Sequence, residues 1–302
     1  MIFDKIVIEV INMQKYLKLI RINHWIKNIL IFLPLFFSGN IFNISLLLTS
    51  ILAFFIFSLT SSIVYIINDI NDIEKDRLHA IKKNRPLASG IISKKQAIYI
   101  IFMLIILVII GITYLYIKIK YLGVIIVPTL YLIINILYSK FLKNIAIIDV
   151  LLLVSGFVLR VLFGGIVVNI TLSKYLYLMI IFGSYYLSFG KRRSEIKKNG
   201  DKSRIVLARY NESFLEKNMY VAYALSVVAY TLWCVDPAIA NNLGHDYMFF
   251  TIPILMTILQ LYSLNIEKDS YGDPVDIILS DKPLLIIGIF YIIIMTVLIY
   301  LI

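Results

Sequence analysis

Residues 46–90 read LLLTSILAFFIFSLTSSIVYIINDINDIEKDRLHAIKKNRPLASG: an uncharged, mainly apolar run to Ile67, then a segment dense in acids and bases. About 20 apolar helical residues cross the hydrocarbon layer of a bilayer. Leu46–Ile67 is therefore expected to span a membrane and to deliver Asn68–Gly90 to its surface. The rest of the chain has the same character, with 61% hydrophobic residues among 302 and a mean hydropathy of +0.90. That composition excludes a water-soluble globule of ordinary make-up.

Nine apolar segments suggest spans, at residues 25–42, 46–67, 97–117, 122–137, 145–166, 175–189, 214–235, 248–266 and 284–302. The expected fold is all-α, a polytopic helical bundle of about nine transmembrane helices forming one domain over 1–302. No low-complexity tract or long linker divides it. With a cytoplasmic N-terminus, alternation of the spans leaves only Lys118, Lys120 and Lys174 of the 29 Lys and Arg in outside connections. Cytoplasmic connections carry such an excess, which supports this orientation in a cell membrane. The first twenty residues hold Asp4 and Glu9 and no small-residue cleavage site, so they read as an interfacial amphipathic helix rather than a signal peptide. Cys234 is the only cysteine, which excludes an intramolecular disulfide or a cysteine metal cluster. The net charge of +11 follows from the positive-inside bias or from anionic substrates at the inner face. No extramembrane basic domain suggests nucleic acid as a partner.

Asn68, Asp69, Asp72 and Asp76 form the pattern N-D-x-x-D-x-x-x-D. On a regular helix their side chains fall within an arc of about 100°, with Asn68, Asp72 and Asp76 stacked at successive i, i+4 positions. Like charges on neighbouring turns repel, so a cation is expected among them. Oxygen donors of this kind suit Mg²⁺, which shares one or two carboxylates with substrate phosphates. Asn68, Asp72 and Asp76 are the expected metal ligands, and Asp69, Asp72 and Asp76 the catalytic acids. The bases that follow, Arg77, His79, Lys82, Lys83 and Arg85, fit a diphosphate beside that metal. An ordinary solvated helix end would explain the acids alone, but not this pairing of acids with bases. Arg85-Pro86 ends the helix, and Gly90 permits a turn. The bases are therefore expected to fold back over the acids.

Asn68–Gly90 resembles the first signature of the UbiA superfamily of intramembrane prenyltransferases, N-D-x-x-D-x-x-x-D with an R-P-L-x-S-G-like end. Four further stretches, NHWIKN (23–28), YSKFLKN (138–144) with DVLLLVSGFVLR (149–160), SFGKRRSE (188–195) and LSDKPLL (279–285), are similar to its decaprenyl-phosphate phosphoribosyltransferase branch. The likeness runs from about Tyr16 to the C-terminus. It implies transfer of 5-phosphoribose from phosphoribosyl pyrophosphate to a polyprenyl phosphate, with Mg²⁺ as cofactor and pyrophosphate as the second product. In the relatives this feeds cell-envelope arabinan precursors. Most of the superfamily carries a second acidic motif after the sixth span. This chain instead has GKRRSE, with Glu195 the nearest acid and Asp201 further on. A second metal there, and quinone-type prenyl chemistry, become less expected.

The 5-phosphate and diphosphate of the donor, with the acceptor's phosphate, require more cations than one metal supplies. Lys191 and Arg192 are the candidates nearest the membrane, with Glu195 beside them. Lys27, next to Trp25, is either a phosphate ligand or an interfacial anchor. Tyr138 and Lys143 stand at the cytoplasmic edge, within reach of diphosphate or ribose. Asp149 and Arg160 lie in an apolar helix about 16 Å apart along its axis, too far to pair, so each needs another partner. A place at the substrate site and a structural ion pair are both open for them. Lys27, Arg77, Lys83, Arg85, Tyr138, Lys143, Asp149, Arg160, Lys191, Arg192 and Glu195 thus make up the substrate-binding set. The rival readings are a prenyltransferase acting on an aromatic acceptor and a membrane transporter. The strongest polar cluster lies at the end of a span rather than at mid-membrane, which disfavours the transporter.

Overall fold

The computed structural model describes residues 14–78, 82–199, 205–237, 247–268 and 274–301. His79, Asp201 and the first thirteen residues lie outside them. Of the expected N-terminal helix, residues 14–19 are described and helical. Helices and their connections make up the described residues, with no strand among them.

A 3₁₀ stretch, Ile22–Phe32, runs into α1 (Leu33–Phe37). There follow α2 (Ile44–Asn71), the short α3 (Ile73–Arg77), α4 (Lys94–Ile119), α5 (Gly123–Lys140) and α6 (Ile148–Val168). The second half contains α7 (Lys174–Asn199), α8 (Glu212–Cys234), α9 (Ile252–Glu267), α10 (Pro274–Ser280) and α11 (Lys282–Tyr300). Each expected span coincides with a helical segment. Six of these, at Ile44–Asn71, Lys94–Ile119, Gly123–Lys140, Ile148–Val168, Met248–Glu267 and Lys282–Tyr300, are long and apolar enough to cross a membrane. The protein is a multi-pass membrane protein. α7 and α8, rich in Tyr and Ser, pack along one another.

The first span begins earlier and ends sooner than expected. Pro34 lies in the first turn of α1, where its missing N–H is not needed, so it starts a helix rather than interrupting one. A 3₁₀ helix rises about 2.0 Å per residue against about 1.5 Å for an α-helix, so the sixteen residues 22–37 reach roughly 30 Å, a bilayer core.

Local signals fix the other ends. Asn43, Asn211 and Asp281 accept hydrogen bonds from the backbone N–H three residues on, and Ser93 with Gln96 forms a reciprocal capping box. Gly90 has φ +79°, the turn that returns the chain to α4.

α6 is the central element, in contact with the 3₁₀ stretch, α1, α2, α5 and α7. Its approach to the first span depends on Gly164: a Cβ there would lie 2.1 Å from the Ile31 carbonyl oxygen. Backbone cannot retreat as a flexible side chain can. Gly164→Ala is expected to destabilise the bundle by at least about 1–3 kcal/mol. It should melt lower in detergent, whereas Gly288→Ala, with nothing within 4 Å of the added carbon, should melt like the parent.

Candidate functional site

Helix α2 carries its last turn to Asn71 and loosens at Asp72 (φ −101°, ψ 9°) before α3 resumes. The bonds from Asp72 N to Asn68 O (3.0 Å) and Asp76 N to Asp72 O (2.8 Å) persist. The four motif residues therefore stay at one end of α2 and divide into two pairs. Asp69 and Asp76, 3% and 4% exposed, both accept from Arg85 Nη1, at 3.0 and 2.6 Å. Asp69 also accepts from Arg21 Nη2. Asn68 Oδ1 accepts from the Ser139 hydroxyl, and Asp72 Oδ2 stands 3.6 Å from Lys143 Nζ.

Arg85 reaches back because Pro86 turns the chain and the Arg85–Ile92 segment closes on itself through Ser89 N to Arg85 O and Ile92 N to Pro86 O bonds. Arg77 steadies this return, donating to Ala88 O at 3.3 Å and to Glu74 at 3.1 Å. It has no bond to the motif aspartates. Lys83 is exposed. Lys27 and Lys191 are half-buried.

Among the described residues no three His, Cys, Asp or Glu side chains converge closely enough to hold an ion alone. The donor set still fits Mg²⁺. One guanidinium nitrogen is within 3.0 Å of oxygens from both Asp69 and Asp76, so a cation already sits where two carboxylates meet. Mg²⁺ ordinarily takes one or two carboxylates and completes its shell with water and phosphate oxygens. Asp69, Asp76, Asp72 and the Asn68 amide oxygen supply hard donors of that kind.

Tyr138 and Ser139, adjacent at the end of α5, join this half of the site to a second cluster. The Tyr138 hydroxyl accepts from Arg192 Nη2 at 3.1 Å. Arg192, fully buried, donates through Nε to Asp149 at 2.7 Å and through Nη1 to Glu195 at 2.7 Å. Asp149, also fully buried, accepts in addition from the Tyr210 hydroxyl at 2.6 Å. Burial first, and then the bond it donates to Asp149, hold the Tyr210 hydroxyl protonated well above its ordinary range. Tyr210 in turn accepts from Ile147 N at 2.6 Å. Ile147 has φ 71° and ψ −45°, a γ-turn conformation that is strained for a β-branched residue and costs on the order of 1–3 kcal/mol. The Tyr210 bond secures the turn that sets Asp149 at the start of α6.

Arg193 turns away, pairing with Glu267 and lying 3.4 and 3.6 Å from Glu212 and Glu216, which ties α7 to α8 and α9. Arg160 is not brought to the acidic motif. It donates to Asn28 Oδ1 (2.7 Å), Gly156 O (2.6 Å) and the Tyr131 hydroxyl (3.1 Å), and lies against the rings of Phe57, Tyr131 and Phe157. Its contacts pin the first span to α5 and α6.

Arg21, Ser139 and Tyr210 belong to this site by contact, and sequence reasoning did not single them out. In the sequence Arg21 and Tyr210 look like ordinary inner-face residues. The available signal for Ser139 is its place beside Tyr138 in YSKFLKN.

A bundle of membrane helices with acids clasped by arginines at the end of one of them has the make-up of an intramembrane enzyme acting on phosphorylated substrates. The chain matches the UbiA prenyltransferase family over residues 29–276, and it belongs to that family. It is 30% identical over 279 residues, 90% of this chain and 83% of the relative, to the decaprenyl-phosphate phosphoribosyltransferase of Corynebacterium glutamicum. It is likewise 30% identical, over 90% of this chain and 88% of the relative, to that of Mycolicibacterium smegmatis. Among solved structures, a UbiA homolog from Archaeoglobus fulgidus bound to DMAPP and Mg²⁺ superposes with a TM-score of 0.67 at 20% identity, covering 94% of this chain and 99% of that one. That likeness confirms the fold.

Proposed function

We propose that the protein transfers 5-phosphoribose from phosphoribosyl pyrophosphate to a polyprenyl phosphate of the decaprenyl type, releasing pyrophosphate. The observation that carries this reading is the interleaving of the motif acids with Arg21, Arg85 and Lys143, together with a buried arginine where most relatives by superfamily carry a second acidic motif. A site with one set of metal-type donors and surplus cations suits substrates with several separate phosphates. The named relatives from Corynebacterium and Mycolicibacterium support the same substrates.

In this reaction an ionised oxygen of the lipid phosphate bonds to ribose C1 while the bond from C1 to the pyrophosphate oxygen breaks, its electron pair leaving with pyrophosphate. No proton has to move, so the reaction requires no Ser-His-Asp arrangement. Asn68, Asp72 and Asp76, with Asp69 assisting, would hold Mg²⁺, which when bound would supply positive charge beside the pyrophosphate. Arg77 holds pyrophosphate oxygens from the side of the returning loop, and Arg85, between Asp69 and Asp76, binds a substrate phosphate beside them. Lys143 and Tyr138 orient the ribose. Arg192 is held rigid by Asp149 and Glu195, which fixes the Tyr138 hydroxyl. Lys27, Lys83 and Lys191 add positive charge around the entrance. The whole chain acts as one domain, with its N-terminus and this face in the cytoplasm, where a soluble donor is available. The lipid-linked product is of the kind used to build envelope arabinan.

Purified protein given Mg²⁺, labelled phosphoribosyl pyrophosphate and a polyprenyl phosphate should yield a labelled lipid and stoichiometric pyrophosphate. Product formed only from a prenyl diphosphate and an aromatic acceptor would overturn the proposal in favour of prenyl transfer. Flux across liposomes without chemical conversion would make the protein a carrier.

A further inference from the structure

A cavity of about 450 Å³ opens beside the acidic motif, between the segment that enters the first span and Arg85. Leu17, Lys18, Arg21, Asn23, His24 and Arg85 are among the residues that line it, with no acid among the described ones. Its size lies in the range of small-ligand sites, more than a bare phosphate needs. The lining pairs basic groups with the exposed apolar side chains of Leu17 and Ile22.

Two features make this wall more than positive-inside charge. Arg21 adopts φ 52°, ψ 53°, a left-handed conformation that a non-glycine residue rarely takes and that clusters at functional sites. The turn lays its guanidinium 5.0 Å over the Tyr65 ring and against Asp69. Further, both arginines are anchored by one nitrogen apiece, Arg21 through Nη2 and Arg85 through Nη1. Their remaining guanidinium donors make no hydrogen bond among the described residues. A guanidinium fork with spare donors, held rigid at its other end by a carboxylate, matches the oxygens of a phosphate.

We propose that this cavity is a phosphate monoester site, which takes the phosphate of a substrate while the neighbouring acids serve the pyrophosphate. The proposal deepens the phosphoribosyl-transfer reading and rests on it for the two possible sources of the ester: the lipid acceptor, whose first isoprene units would lie on Leu17 and Ile22, or the 5-phosphate of the donor sugar. Arg21 and Arg85 bind it directly, Lys18 adds charge, and His24 adds a ring nitrogen to the lining.

The test uses the full chain in nanodiscs with Mg²⁺ and measures calorimetric binding of farnesyl phosphate, ribose 5-phosphate and pyrophosphate, without turnover. The Lys18→Gln/His24→Gln variant leaves the ion pairs to Asp69 and Asp76 in place. It is expected to bind one monoester roughly tenfold or more weakly, as loss of charge-assisted bonds implies, with pyrophosphate binding unchanged. Weakening toward farnesyl phosphate assigns the site to the acceptor, and weakening toward ribose 5-phosphate assigns it to the donor. Parental affinity for both esters, or equal loss for all three ligands, overturns the proposal. Because no reaction is followed, a failed transfer assay would leave this result standing, and the reverse.

Discussion

Asp76→Asn should lower turnover by about 10³ or more while the variant still folds, and Asp72→Asn should do the same. A factor of 10³ corresponds to about 4 kcal/mol of barrier, the scale on which loss of a preorganised electrostatic group at a leaving charge is felt. Asn keeps the shape and one acceptor oxygen of Asp, so Arg85 retains a partner in Asp69 when Asp76 is changed. Folding should therefore survive where charge on the metal-type donors does not. The measurement is pyrophosphate release at saturating substrates across a Mg²⁺ titration, beside a melting curve. Near-parental rates in both variants would remove these carboxylates from the chemistry, whatever the activity proves to be. A rate that recovers fully at high Mg²⁺ would limit their role to affinity for the ion.

The spans are legible in the sequence because each is a long uncharged run, and chain chemistry decides that locally: apolar residues in lipid must satisfy their backbone within a helix. The acidic motif is legible for the same reason, since its spacing is a property of one helix. What does not show is partnership between segments distant in the chain. Arg21 meets Asp69, Arg160 meets Asn28, and Tyr210 meets Asp149. None of these pairings has a sequence signal, because tertiary packing alone brings the groups together. The ideal-helix projection also puts Asn68, Asp72 and Asp76 in one stack, whereas the loosened turn at Asp72 lets Asp76 share Arg85 with Asp69. Extrapolating 100° per residue holds only while the backbone remains helical. The first span departs from its expected bounds because backbone turns set its ends: Arg21 at φ 52° precedes Ile22, and Gly39 at φ 73° follows soon after Phe37, neither of which hydropathy reveals.

Arg192→Met should produce a large loss of stability. Arg192 and Asp149 are both fully buried, and removing one partner of such a pair leaves the other charge desolvated, at a typical penalty of about 3–5 kcal/mol. Among the described residues, Tyr210 would then be the only side chain still donating to the Asp149 carboxylate, through a single bond. A purely Coulombic view would rate the pair itself as strongly stabilising, but the cost of burying both ions offsets most of that attraction. The two views separate in the double variant. Asp149→Asn/Arg192→Met removes both charges, leaves an amide oxygen at position 149 to accept from the Tyr210 hydroxyl, and should recover much of the melting temperature lost in Arg192→Met alone. Turnover should not return with it, since the Tyr138 hydroxyl loses the guanidinium that holds it at the end of α5. Recovery of stability without activity would assign the pair to positioning Tyr138 within the site. Recovery of both would make it scaffolding alone, and parental melting of Arg192→Met would show that the buried charge is relieved in some other way.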